Sequence, residues 1–106
     1  MSEQPGDLKI PTQLVLGNNY PNPFNSSTII TFSIPRSMSN HTIELTVYDV
    51  QGRRVKQLVD RQMPDGNYAV RWDGTLESGK PAASGVYFYH LIAGSQRQIG
   101  KMSFIK

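Results

Sequence analysis

The feature of this sequence that most limits its fold is the period-two spacing of its apolar side chains. In residues 42–49 (TIELTVYD), Ile43, Leu45 and Val47 alternate with more polar side chains. Because successive side chains of a strand point to opposite faces of a sheet, this alternation is typical of a strand with one buried and one wet face. No segment has the spacing of an amphipathic helix. The sequence therefore predicts an all-β fold.

Five further segments are strand-like. Residues 85–93 (GVYFYHLIA) are apolar at nearly every position. This composition predicts a central strand covered on both faces, with Tyr87, Tyr89 and Leu91 on the better-buried face. The remaining candidate strands are residues 28–35, with Ile30, Phe32 and Ile34 on one face; residues 53–59; residues 67–74, with Tyr68, Val70 and Trp72 on one face; and residues 96–105.

Turn-forming residues separate these segments. Residues 63–67 (MPDGN) combine Pro, Asp and Gly in the order of a tight turn, and residues 51–52 and 93–95 carry weaker turn signals. We interpret all three as hairpin connections. The longest connection, residues 73–85, is long enough to cross from one sheet to another. About seven short strands in roughly 100 residues predict an immunoglobulin-like antiparallel β-sandwich.

The length of 106 residues corresponds to a single domain. We assign residues 14–106 to that domain, and residues 1–13, which are mostly polar, to a linker or a segment introduced by cloning. The same stretch lacks the apolar region of a signal peptide, so we expect no N-terminal export signal in it. Because the sequence contains no Cys, neither a disulfide nor a thiolate metal site can form.

No group of residues predicts catalysis. His41 and His90 have no acidic residue or second histidine at the spacing of a metal site or a general base. The aspartates lie at strand ends, where Asp commonly closes turns. Calcium bound by such loop carboxylates stays open, although the spaced ligand series of a calcium loop is missing. We expect no enzyme and no cofactor, and we assign no metal ligand. The aspartates concerned are Asp49, Asp60, Asp65 and Asp73.

Two binding functions could rest on aromatic residues, but core packing explains these residues better. Residues 87–89, with Arg71, Arg97 and Lys101, could form a stacking platform for nucleic acid. Consecutive side chains of a strand point to opposite faces, however, so we expect no nucleic acid partner. Sugar binding by Trp72 is disfavoured because its strand face has the pattern of a core. The oligomeric state stays open, since an edge strand could pair in a dimer.

Five blocks of sequence, in order, carry a resemblance to a known family. The blocks are NNYPNPFNSSTIITFSIP at 18–35, LTVYDVQGRRVKQLVD at 45–60, DGNYAVRWDG at 65–74, SGKPAASGVYFYHLIAG at 78–94 and KMSFIK at 101–106. Together they resemble the type A C-terminal sorting domain of proteins exported by the bacterial type IX secretion system, also called the Por secretion system. The middle blocks are similar to the immunoglobulin-like domain of the flagellar hook-capping protein. The resemblance covers Leu14 to Lys106.

The resemblance implies a non-catalytic sorting function. Such a domain directs a cargo protein, N-terminal to it, through the outer membrane for release or attachment to the cell surface. Its partners would be the outer-membrane secretion machinery and a sortase-like protease. Its location would be the periplasm in transit, and then the cell surface or the medium. Two alternatives remain open: an accessory binding or structural module of a secreted enzyme, and a flagellar hook-capping domain.

The resemblance also points to the residues that would carry sorting. The positions that match the family near the end of the domain are Gly85, Val86, Tyr87, Tyr89, Leu91, Gly94, Lys101, Met102, Ile105 and Lys106.

The last strand has a pattern that supports both packing and recognition. Met102 and Phe104 alternate with Lys101 and Ser103, so the strand can bury one face while its Lys side chain stays wet. It can complete the sandwich, and it can also offer an edge to which a partner adds a strand.

A second motif precedes the first clear strand. In this loop the two prolines limit backbone freedom and stiffen a turn. We expect the turn to lay its two aromatic side chains over one end of the sandwich; contact with the secretion machinery or with the cargo stays open. The loop consists of Tyr20, Pro21, Asn22, Pro23 and Phe24.

Overall fold

Two antiparallel β-sheets face each other in the structure, a computed structural model that describes residues 13–106. The predicted all-β sandwich of about seven strands is confirmed. Within the described residues the only helical segment is a 3-10 turn at Arg36–Met38, and no helix is long and apolar enough to cross a membrane. The strands are β1 (Val15–Leu16), β2 (Thr28–Ile34), β3 (His41–Asp49), β4 (Arg54–Met63), β5 (Gly66–Trp72), β6 (Gly85–Ala93) and β7 (Gln96–Phe104).

The strand order explains how the chain crosses between the sheets. The smaller sheet has the order β1-β2-β5, and the larger has the order β4-β3-β6-β7. Strand β6 lies between β3 and β7, so its predicted central place in a sheet is confirmed. The connection after β5 carries the chain from the smaller sheet to the larger, as its length predicts. Strand β7 forms one edge of the larger sheet.

Two of the three predicted hairpins are confirmed, and the third is wrong. Gly52 and Gly94 have positive φ values of 81° and 59° in the β3–β4 and β6–β7 turns. The turn at 63–67 instead joins β4 in the larger sheet to β5 in the smaller one. The local Pro-Asp-Gly signal specifies a change of direction, but it does not specify whether the flanking strands pair. Tyr68 Oη donates to the carbonyl of Pro64 at 2.8 Å and steadies this crossing.

The core contains the alternating side chains of both sheets. The predicted inward faces of β2 and β3 are confirmed, since each of their apolar side chains is at most 2% exposed. On β5, Trp72 is fully buried, whereas Tyr68 and Val70 are only half-buried. The Trp72 indole N–H donates to the carbonyl of Thr75 at 3.0 Å, so its single polar group is satisfied. The buried positions of β2 and β3 are Ile30, Phe32, Ile34, Ile43, Leu45 and Val47.

One expectation for β6 is wrong, because only one of its faces is covered. Tyr87, Tyr89 and Leu91 point into the core as predicted. The opposite face, which includes Phe88 and His90, lies on the outside of the larger sheet and is half-buried. Side chains of the neighbouring strands shield these residues laterally, so apolar residues on both faces did not require a second covering layer.

Replacing Leu45 with Ala tests the position of the core. The Leu45 side chain is fully buried in the central strand β3, so Leu45→Ala should lower the free energy of unfolding by about 2–5 kcal/mol. Urea denaturation measures this change. The matched control is Val50→Ala, because Val50 is 67% exposed and its change should stay within about 0.5 kcal/mol. Equal effects of the two variants would contradict the described core.

Candidate functional site

The outer edge of β7 is covered by residues 14–24, which we call the edge segment. At its start, the Gln98 side chain donates from Nε2 to the carbonyl of Leu14 at 2.6 Å. The same side chain accepts, at Oε1, the backbone N–H of Leu16 at 2.7 Å. One amide side chain thereby imitates the paired hydrogen bonds of a neighbouring strand.

Tyr89 fixes the middle of the edge segment. Its hydroxyl donates to the carbonyl of Gly17 at 3.0 Å and accepts the backbone N–H of Asn19 at 3.1 Å. Gly100 is the partner of Tyr89 on β7, and a Cβ at this position would overlap the Tyr89 ring. The absence of a side chain at Gly100 therefore lets a β6 residue reach across β7 to the edge segment.

The loop motif and the terminal strand form one hydrogen-bonded unit. Asn22 accepts the backbone N–H of Ser103 at Oδ1 (3.0 Å), and its Nδ2 donates to the carbonyl of Lys101 (3.4 Å). The backbone N–H of Phe24 donates to the carbonyl of Ser103 at 3.0 Å, and the N–H of Ile105 donates to the carbonyl of Phe24 at 2.9 Å. The pairing of Phe24 with Phe104 is parallel. Two motifs about 80 residues apart thus meet side by side.

The expectation that the loop covers one end of the sandwich is right for Phe24. Phe24 is 2% exposed, its ring stacks on Phe104 at 4.7 Å between centroids, and its edge faces Trp72 at 5.6 Å. Gly74, at φ 74°, gives Phe104 its space, because a Cβ there would overlap the Phe104 ring. This aromatic cluster ties the loop, β5 and β7 together.

The same expectation is wrong for Tyr20, whose side chain is 78% exposed. The reason lies in the backbone. The N–H groups of Tyr20 and Ile29 each donate to the other's carbonyl, at 2.9 and 2.8 Å. This antiparallel bridge continues the alternation of β2, in which Ile30 points inward and Ile29 outward, and the Tyr20 side chain points away from the core.

Asn19 is a residue of this site that the sequence interpretation did not identify. It is 4% exposed, and its Nδ2 donates to Thr28 Oγ1 at 3.0 Å and to the carbonyl of Pro21 at 3.3 Å. Thr28 donates to the same carbonyl at 2.8 Å. The carbonyl of Pro21 is therefore held by two donors. The only signal in the sequence was the pair of Asn residues before the loop, which is too common to identify a buried role.

The residues expected to carry sorting divide into a buried group, Gly94 by itself, and an exposed group near the tail. The buried group packs in the core, where a partner of the folded domain cannot touch it. Gly94 is exposed but lies at the opposite end of β6, beside the His41 ring. The remaining residues are exposed and lie where the chain leaves β7. The buried residues are Tyr87, Tyr89, Leu91 and Met102; the exposed ones near the tail are Gly85, Val86, Lys101, Ile105 and Lys106.

Two of the exposed tail residues, Ile105 and Lys106, border a shallow depression, which we call the tail groove. It has a volume of about 440 Å³ and lies between the prolines of the loop motif and residues Ile105 and Lys106. Ile105 is 54% exposed, although its backbone is fixed by Phe24. The N–H of Lys106 donates to Ser84 Oγ at 3.0 Å. The end of the chain therefore presents an apolar and a cationic side chain from an ordered backbone.

Strand addition at β7 is not available at the positions covered by the edge segment. The sequence alone left this recognition mode open, because β7 is an edge strand. In the structure, the outward backbone groups of Lys101, Ser103 and Ile105 already bond to the loop motif. A partner must therefore read side chains at this edge, or it must first displace residues 14–24.

Two aspartates, Asp49 and Asp73, stabilise turns. Asp49 accepts the backbone N–H groups of Gln51 and Arg53 at 2.9 Å each. The hydrogen bond from the Arg53 backbone is the main reason why the pKa of Asp49 lies below its usual value. A bond from the Thr75 hydroxyl has the same effect on the pKa of Asp73. Within residues 13–106, no three His, Asp or Glu side chains lie close enough to hold a metal ion.

A family comparison identifies the domain type. Residues 17–96 match the model of the FlgD Ig-like domain. The chain belongs to this family. The match confirms the immunoglobulin-like fold and includes the loop motif, and it ends at Gln96, the first residue of β7. No curated protein sequence matches the chain.

Three solved structures that match this chain contain the same fold. A segment of latent PorU from Porphyromonas gingivalis matches 88% of this chain with a TM-score of 0.66 and 22% identity. A segment of PorZ from the same organism matches 88% of this chain with a TM-score of 0.57 and 17% identity. FlgD from Xanthomonas campestris matches 93% of this chain with a TM-score of 0.57 and 20% identity. At these identities the likeness shows the fold alone. The chain spans only 9% of PorU and 11% of PorZ, but 71% of FlgD.

Replacing Asn22 with Ala tests the closure of the β7 edge. The variant removes the acceptor of the Ser103 N–H and the donor to Lys101. We expect faster hydrogen exchange at the Ser103 amide and a free energy of unfolding lower by about 1 kcal/mol. Exchange of the Leu91 amide, in the centre of the same sheet, is the internal reference. Unchanged exchange at Ser103 would contradict the described contact.

The buried tyrosines predict a loss of stability at high pH. Burial raises the pKa of the Tyr89 hydroxyl above its usual 10.0. The folded state thus favours the neutral hydroxyl, which contributes in full to the free energy of unfolding when the pH is below the pKa of the unfolded protein. This contribution is lost as the pH rises past about 10 and through the higher pKa of the folded protein. The decrease in the free energy of unfolding should be shallower in Tyr89→Phe. Tyr20→Phe, which changes an exposed tyrosine, is the control and should retain the slope of the parent protein.

Proposed function

We propose that this FlgD-type Ig-like domain is a non-catalytic C-terminal sorting domain of the type IX secretion system. The five sequence blocks from residue 18 to residue 106 support this function. A structural neighbour supports it as well. PorZ, described as an essential bacterial surface component of the type IX secretion system, contains a segment with this fold. The fold alone would fit many functions, so the proposal rests on the tail.

The observation that carries the proposal is the hydrogen-bonded pairing of the loop motif with the end of β7. The loop fixes the backbone of residues 103–105, and it leaves the side chains of Ile105 and Lys106 exposed beside its prolines. An ordered, exposed end is suited to recognition, because little conformational entropy is lost when a partner binds it. The sorting signal is then the folded surface around the tail groove, rather than a linear peptide.

The partners and the location follow from this function. The outer-membrane secretion machinery binds the tail groove, and the cargo precedes residue 14, where the edge segment begins. A sortase-like protease separates the domain from its cargo after passage. The domain passes through the periplasm and reaches the cell surface or the medium.

A flagellar hook-capping function is the second candidate. It is favoured by the family match and by FlgD from X. campestris, whose description refers to hook capping in flagellar assembly. The region that the sorting proposal uses most, residues 97–106, lies beyond the matched range. A sugar-binding accessory module built on Trp72 has less support, because Trp72 is fully buried.

The test is an export assay of the whole chain. Residues 1–106 are fused behind a periplasmic signal peptide and a fluorescent reporter, in a bacterium with a type IX system. A double variant, Ile105→Ser with Lys106→Ala, changes the exposed tail and leaves the core intact. We expect surface or medium fluorescence from the parent, its dependence on the secretion system, and a decrease of about tenfold in the double variant, as for the loss of an interface hot spot.

The matched control is Ile99→Ser. Ile99 lies on β7, the strand that leads into the tail, and is 57% exposed, so a general effect of a new polar residue near the end of the chain would appear there too. Deleting residues 101–106 is not an adequate test, since it removes the buried Met102 and Phe104. If the folded parent protein remained in the periplasm, the sorting proposal would fail. If the double variant were exported as well as the parent, recognition would lie elsewhere.

A further inference from the structure

The outside of the larger sheet carries a second depression, on the face of β6 that points away from the core. We call it the outer groove. It has a volume of about 450 Å³, and one wall is the β3–β4 turn at residues 49–52. Its floor and its far end consist of Tyr48, Phe88, His90, Ile92 and Arg97. None of these residues has a part in the tail groove or in the closure of the β7 edge.

Three aromatic side chains line the floor of the outer groove. Tyr48 on β3 is the cross-strand partner of Phe88 on β6. The His90 ring lies 4.4 Å from the Tyr48 ring, between centroids. Phe88, His90 and Ile92 occupy every second position of β6 and so lie on the same face. At about 3.3 Å per residue, the floor extends over roughly 13 Å. The groove is elongated and open, and all three rings are half-buried.

Asp49 and Arg97 are the charged residues that line the outer groove. The Asp49 carboxylate is already bonded to Arg53, at 2.9 Å from the guanidinium Nε to Oδ2, so it offers little free negative charge. Among residues 13–106, Arg97 forms no ion pair. Burial, and then the nearby Arg97, lower the pKa of His90, so its ring is neutral at neutral pH. The groove therefore combines aromatic surface with Arg97, a cation that forms no ion pair within the described residues.

These features fit a sugar chain better than an extended peptide. The backbone groups of β3 and β6 are used within the sheet, so a peptide on this face could form no strand-pairing hydrogen bonds with it. A pyranose ring has no such requirement. Its apolar C–H face can lie on aromatic faces, which are electron-rich, while its hydroxyl groups stay in water. An acidic sugar can in addition place its carboxylate at a guanidinium.

We propose that the outer groove binds an oligosaccharide that carries a carboxylate, with sugar rings on Phe88 and Tyr48 and the carboxylate at Arg97. Sequence alternation alone could not identify this site, because it assigned both faces of β6 to the core. The proposal does not depend on the sorting function. A domain at a cell surface and a domain in a flagellum could both use such a site.

The experiment is a titration of the full chain followed by 1H–15N NMR. The probe is a trimer of galacturonic acid, and the neutral reference is a trimer of galactose. We expect shifts concentrated at residues 48–52, 88–92 and 97, and tighter binding of the acidic trimer. Phe88→Leu keeps an apolar side chain but removes the ring, and it should weaken binding about fivefold. Arg97→Ala should reduce the preference for the acidic trimer about threefold.

Two control variants carry the same chemistry elsewhere. Tyr20→Ala removes an exposed ring, and Arg71→Ala removes an exposed guanidinium from the smaller sheet; neither should change the affinity. The backbone spectrum shows whether each variant is folded. The proposal is overturned if the acidic trimer causes no shifts at millimolar concentration, if Phe88→Leu and Tyr20→Ala behave alike, or if adenosine monophosphate binds this groove more tightly than the acidic sugar.

Discussion

The hydrogen bonds between the edge segment and β7 are the contacts on which the rest of the domain depends. An edge strand leaves a row of backbone groups unpaired and open to other chains. Here Gln98, Tyr89 and Asn22 supply side-chain bonds to the region where regular strand pairing ends. With β7 held in place, Phe104 stays against Phe24 and Trp72, and one end of the core is closed. The same contacts therefore cover the edge of β7 and close one end of the core.

The residues that hold the tail in place therefore differ from the residues that the tail exposes to solvent. Tyr89 and Met102 are each 1% exposed, and they place β7 without being accessible to a partner. Ile105 and Lys106 are accessible because the strand before them is fixed. Under the sorting proposal, a partner that contacts these two side chains therefore reads whether the whole domain is folded. The outer groove has a different origin, since it arises from side chains of β6 that the core does not need.

Local patterns in the sequence predicted most of the fold, and long-range contacts account for what they missed. Alternation identified the inward faces of β2 and β3, because that signal is contained in the strand itself. Strand β1 was missed, because two residues are too short to show a period. The turn at 63–67 was assigned to a hairpin, because turn chemistry is local and sheet membership is not. For the candidate site, the sequence placed the loop motif and the tail separately. Their pairing through Asn22 and Ser103 joins positions about 80 residues apart, which no local pattern encodes.

The parallel direction of the edge segment and β7 has a mechanical consequence. The segment enters beside Gln98 and runs toward Phe24, while β7 runs from the same end toward Phe104. A pull on the chain before residue 14 and an opposite pull at residue 106 would act along the axis of these two neighbours. Their hydrogen bonds and the Phe24–Phe104 stack would then carry the load together in shear, and would not open one after another. These contacts are thus arranged to resist tension applied to the chain at residues 14 and 106.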